Sequence, residues 1–159
     1  MSARFPRVVL TVPFVPQRRN GECLVACAMM SLSYLGRQPD YLRIARQLDS
    51  TSIGTPFPNI RRLADDAVHV LFGCGTLQIL YQHLSQGQPC IVSVQTGQLP
   101  HWNGEDFAHA AVVVGMDAES IYVHDPAVVT HPLRVGIGDF DLAWLERDEE
   151  YAVLTLAGD

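Results

Sequence analysis

The chain has 159 residues, 48% of them apolar and 18% charged, with a formal net charge of −6. That is enough apolar material for the core of one ordinary domain, expected over residues 1–159, and too little charge for a disordered chain. The acidic balance argues against binding nucleic acid, and no apolar stretch approaches the roughly 20 residues of a membrane span.

The first apolar run, residues 8–12, is broken by Pro13 and Pro16 and is too short for a secretory signal. Residues 7–15 read as an edge strand that cannot join a sheet centre. A polar loop follows, with Asn20-Gly21 as its turn and Asn20 as a candidate helix cap. Residues 23–35 read as a helix, since Leu24, Ala28, Leu32 and Leu35 recur at helical spacing and Gly36 can stop it. Pro39-Asp40 opens a second helix to about Leu48. A turn-rich loop leads to a short third helix over 59–67, a short strand over 68–72, and a helix capped by Thr76 that ends at Gly87.

From Pro89 the pattern turns to β. Strands are expected over 90–96, 109–116, 121–125 and 151–156, with a possible one over 133–135. A polar loop over 97–107 and a short helical segment over 139–145 lie between them. Helices thus dominate the first half and antiparallel strands the second, which reads as α+β.

A cysteine nucleophile works as its thiolate. Cys23 falls in the predicted first turn of a helix, where unpaired N–H groups and the macrodipole favour negative charge. Its own N–H and the side-chain amide of Gln17 are candidate oxyanion donors. Most free cysteines are inert and buried; the polar approach loop and Gln17 set Cys23 apart. Cys27, among Ala26, Ala28 and Met30, reads as core, as do Cys74 and Cys90. Four cysteines so scattered make no disulfide framework, and a reducing, cytoplasmic compartment is expected.

A base is needed, and His109 stands out among the six histidines because it sits at the mouth of a strand, before A-A-V-V-V. If the hairpin pairs symmetrically about Asp117, His109 faces Asp125, with Cβ atoms about 4.5–5.5 Å apart. Alternation turns His124 to the other face. Taken alone, His109 also reads as a strand-end histidine satisfied by backbone, and Asp125 as a turn-forming residue before Pro126. Trp102 and Phe107 either line a substrate cleft or anchor their loop. Phe140 and Trp144 read as packing on the sheet. The lone G-x-G of Gly73 to Gly75 reads as a turn. His124, Asp125 and His131 match no zinc spacing, and no metal is expected.

Q-x5-C opening a helix, then H-A-A-V-V-V-G-M-D, then I-Y-V-H-D-P, together resemble the papain-like cysteine peptidases. More narrowly they resemble the bacteriocin-processing (double-glycine leader) peptidases and their stand-alone relatives, over residues 12–127. The resemblance implies a papain-like α+β fold with N-terminal helices packed on an antiparallel sheet. It implies Gln17 as oxyanion donor, Cys23 as nucleophile, His109 as base and acid, and Asp125 as the residue orienting the imidazole. This chain has Glu22-Cys23-Leu24 where the family often has Asp-Cys-Gly, which puts Leu24 with Trp102 and Phe107 as expected substrate contacts. The implied activity is hydrolysis of a peptide or amide bond through a Cys23 thioester, on a peptide or protein substrate and without a cofactor. A cysteine acyltransferase or deamidase on the same fold, or a non-catalytic peptide-binding module, are the alternatives.

Overall fold

Proline spacing limits the first strand. In the computed structural model, which describes residues 5–158, only β1 (Val8–Val9) is extended and paired. It is an edge strand as expected, hydrogen-bonded to a partner strand on one side only among the described residues. Val8 and Val9 pair with Met116 and Gly115 of β4 (Ala108–Met116), and the Leu10 N–H donates to Val114 O at 2.8 Å. Gly115 makes this possible: a Cβ there would meet Val8 O at 2.6 Å. β1 occupies the stretch of the β4 edge that lies beyond the end of β3 (Cys90–Gln95).

α1 (Cys23–Tyr34) is apolar on every side, and residues 24–32 are all buried, as befits a helix enclosed by the fold. Glu22, not Asn20, holds its N-cap position; its carboxylate makes no cap bond and instead accepts from the Tyr41 hydroxyl at 2.9 Å. α2 (Tyr41–Gln47) is capped as its sequence requires, with Asp40 Oδ1 accepting from the Leu42 and Arg43 N–H groups. The expected third helix is a 3-10 helix, Phe57–Leu63. It stops before Asp65, whose carboxylate accepts from the Ala67 and Val68 N–H groups and turns the chain into β2 (Val68–Cys74). α3 (Leu77–Ser85) is capped by Thr76.

β5 (Ser120–His124), β6 (Leu133–Gly136), α4 (Ile137–Leu145) and β7 (Glu150–Leu156) complete the chain. The antiparallel sheet runs β2-β7-β3-β4-β5-β6, with β1 added along β4. β2, from the helical half, pairs along its whole length with the last strand. Both faces are covered. α1 and α2 pack with Ala110, Val112 and Val114 on one side. α3 and α4 pack with Ala111 and Val113 on the other, where Phe140 and Trp144 are fully buried. Burial on both faces is why 110–114 reads as a continuous apolar run rather than an alternating one.

Candidate active site

α1, β4 and the residue after β5 bring Cys23, His109 and Asp125 together. Asp125 is 1% exposed. Its Oδ1 takes His109 Nε2 at 2.7 Å and accepts from the Ala127 N–H at 3.0 Å. Its Oδ2 takes His101 Nε2 at 2.9 Å and accepts from the Trp102 indole N–H at 3.0 Å. A carboxylate only accepts, so both histidines present N–H at Nε2. Nδ1 of His109 is then the ring nitrogen left to face Cys23.

Burial alone would raise the Cys23 thiol. Hydrogen bonding and charge from His109, with the backbone of Ala110 and Leu24, outweigh that, and the thiol sits below its ordinary value. Burial acts on His109 in the opposite sense, but hydrogen bonds from Asp125 and Cys23, and their charge, raise the imidazole to about 9. Asp125 is also penalised by burial; its bonds to His101 and then His109 hold it well below the usual carboxylate range. The shifts are those of a thiolate–imidazolium pair backed by a buried carboxylate. Cys27, one turn into α1, is fully buried and pushed well up by burial, then by Cys23 and Asp125. Burial raises Cys90 likewise.

The hairpin register differs from the symmetric pairing about Asp117. The turn is centred later, with the Asp117 N–H donating to Ser120 O at 2.9 Å and Asp117 Oδ1 receiving the Glu119 and Ser120 N–H groups. Val112 pairs with His124, and the register slips between Val113 and Gly115. His109 and Asp125 are therefore diagonal neighbours rather than direct partners, a gap the His109 ring still closes, its Nε2 reaching Asp125 Oδ1 at 2.7 Å. His124 does face away, its Nε2 bonded to Val12 O at 2.8 Å. His131 stacks on Phe14.

Gln17 lines the same cleft as Cys23, of about 1130 Å³. Its backbone N–H donates to Pro126 O at 3.0 Å, which ties the approach loop to the segment after Asp125. Its amide nitrogen donates to Arg19 O at 3.1 Å, and an amide carries a second hydrogen for a ligand. Gln17 Oε1 is buried without a partner. Gly21, at φ +85, lets the helix entry press on the opposing loop: a Cβ there would meet Thr51 O at 2.9 Å.

The cleft runs between that loop, with Ile53 95% exposed, and the 97–108 segment. Trp102 lines the cleft and also anchors its own loop through Asp125; its ring is edge-on to His109 at 5.2 Å and to Phe107 at 4.9 Å. Phe107, 40% exposed, completes this wall. Leu24 reaches the cleft only as part of its floor, being 1% exposed and packed into the core.

His101 is the neighbour of Asp125 that sequence reasoning missed. Its signal was Pro100, which starts a 3-10 turn over Pro100–Trp102 and so delivers two adjacent ring N–H donors to one carboxylate. Among the described residues, no three His, Cys, Asp or Glu side chains gather into a metal-binding set, and no helix is long and apolar enough to cross a membrane.

Residues 9–150 match the Peptidase_C39 like family. The colicin V secretion/processing ATP-binding protein of Escherichia coli is 25% identical over 116 residues, which are 73% of this chain and 15% of that protein. The chain thus spans a small part of such relatives. A solved C39-like protein from Bacillus anthracis superposes with a TM-score of 0.76 at 20% identity, over 94% of this chain and 98% of the other. A double-glycine-motif protease from an AMS/PCAT transporter, solved with its leader peptide, superposes with a TM-score of 0.74 at 15% identity, over 99% and 100%. With a papain-like fold and a match over most of its length, the chain belongs to the Peptidase_C39 like family and is a cysteine peptidase-like hydrolase.

Proposed function

We propose that the chain cleaves a peptide bond through a thioester on Cys23. The observation that carries this reading is the continuous Cys23–His109–Asp125 relay, which ends in a thiol below its ordinary value on the wall of an open cleft. The thiolate attacks the carbonyl carbon. The oxyanion is held by the Cys23 N–H at the start of α1 and by the spare N–H of Gln17. His109, protonated in the resting pair, gives its proton to the leaving amine and then takes one from the water that opens the thioester. Asp125 keeps the proton on Nε2, so that Nδ1 does the exchange with sulfur and substrate.

The cleft, of about 1130 Å³, has the Trp102 and Phe107 rings on one wall and the 49–57 loop on the other. A structural relative was solved holding a leader peptide, and a peptide is the substrate class we assign here. A reducing, cytoplasmic setting suits a working thiol. The test is incubation with a peptide library that includes Gly-Gly-containing members, read by mass spectrometry, with and without an added amine. Cleavage lost in Cys23→Ala supports hydrolysis. Amine adducts without cleavage would move the activity to transfer. Peptide binding with no covalent turnover would make the chain a binding module.

A further inference from the structure

The peptidase reading uses one of the two histidines on Asp125. The other is also built into the site. His101 Nε2 reaches Asp125 Oδ2 at 2.9 Å, from a 3-10 turn fixed by Pro100 and 24 residues away in sequence. Its side chain is 17% exposed, while the carboxylate it meets is 1% exposed. No ring contact other than Trp102, at 6.1 Å between centroids, involves His101. Among the described residues its hydrogen-bond partner is Asp125.

We propose that His101 is a positioning residue. By fixing Oδ2 from outside the relay, it turns Oδ1 toward His109 and so maintains the Cys23 thiolate. A carboxylate has two oxygens and can rotate about its Cβ–Cγ bond. With Oδ2 held by His101 and Trp102, and Oδ1 also held by the Ala127 N–H, only one orientation satisfies every donor. Without His101, Oδ2 keeps a single donor in a buried setting, and the carboxylate is both less firmly aimed and less stable as an anion. Its hold on the His109 imidazolium weakens, and with it the thiolate. The ionisable groups that act on Asp125 are His101, His109 and Cys27. His101 is the member of this set that opens to solvent.

The inference rests on the proposed Cys23 chemistry, and its test separates the two. The second-order rate of Cys23 alkylation by iodoacetamide, mapped by mass spectrometry, is measured at pH 6 and pH 10 in wild type, His101→Phe and His101→Gln. His101→Ala serves as a second variant lacking the donor. In wild type, rapid labelling of Cys23 at pH 6 is the condition for the proposed function; its absence sinks that reading. Given an active thiol, His101→Phe slows labelling about tenfold at pH 6, a tenfold smaller thiolate fraction, and leaves the rate at pH 10 unchanged. His101→Gln, which keeps an N–H donor of similar reach, restores the pH 6 rate to within about twofold. Wild-type labelling of the Phe and Ala variants at pH 6 overturns the inference. So does equal slowing at both pH values, or a Gln variant as slow as Phe, because either pattern reports packing or access rather than a donated bond.

Discussion

Asp125→Asn preserves shape and removes one charge, so it asks how much of the site rests on that carboxylate's capacity to accept. Asp125 receives four donors: His109, His101, Trp102 and the Ala127 N–H. An asparagine offers one acceptor oxygen with two lone pairs, and its NH₂ must face a site where two of those donors already point. Two donors are left without an acceptor in a position 1% exposed. Each costs ~1–3 kcal/mol, so the variant is expected to lose roughly 2–6 kcal/mol of stability in urea unfolding at pH 7. The chemistry suffers separately. Bonding and charge from Asp125 help to raise His109 to about 9; without them the imidazolium is less stable and Cys23 returns toward an ordinary thiol. Alkylation at pH 6 falls, while alkylation above pH 10 approaches wild type. An Asn variant with wild-type unfolding and an unchanged alkylation profile would refute both the acceptor count and the relay.

Three other outcomes follow from the same geometry. Native-state iodoacetamide at pH 6 modifies Cys23 before Cys74, which is exposed rather than in the core as expected, while Cys27 and Cys90, buried and raised by that burial, react only after unfolding; early modification of Cys27 would contradict the assignment. Gln17→Ala lowers peptide turnover by about 10²–10³ yet leaves Cys23 alkylation near wild type, because alkylation creates no oxyanion; parallel losses in both assays would place Gln17 in thiol activation instead. The folded His109 value of about 9 lies above its ordinary 6.5. Its stabilising contribution is therefore complete below about pH 6.5 and is lost as pH rises through about 9, so peptide turnover and urea stability should both decline across pH 8–10, and a flat profile there would remove His109 from the relay.

The order of elements was legible in the sequence because each has a local cause. Asp40 and Thr76 cap the helices they precede. The apolar run over 110–114 is a strand covered on both faces. Cys23 stands at a helix start because the polar turn before it ends there. The misses are tertiary. Asn20 has the side chain of a cap, but Glu22 takes the position and spends its carboxylate on Tyr41. The proline-rich start reads as an edge strand, and β1 does pair with one strand only; its place along β4 is what was not foreseen. Gly115 opens a gap on β4 into which Val8 and Val9 fit, and nothing local to residues 7–15 reports the shape of β4.

The hairpin shows why the candidate site survived an imperfect register. Symmetry about Asp117 ignored the Asp117 side chain, which accepts from Glu119 and Ser120 and moves the turn toward Ser120. The slip between Val113 and Gly115 shifts the pairing again. At Val112↔His124 the offset from the symmetric pairing is two residues, an even number, so side chains keep their faces. His109 and Asp125 become diagonal neighbours, and an imidazole with a carboxylate bridges that gap at 2.7 Å. An odd offset would have turned Asp125 away. What sequence could not supply was the second pair of donors. His101 and Trp102 belong to a loop with no periodicity of its own, and their place over Asp125 depends on where β3 ends and β4 begins. The pairing of His109 with Asp125 was therefore suggested by local pattern and parity, and the roles proposed for Cys23, His109 and Asp125 came from the family resemblance, while the second pair of donors on the carboxylate is set only once the sheet has assembled.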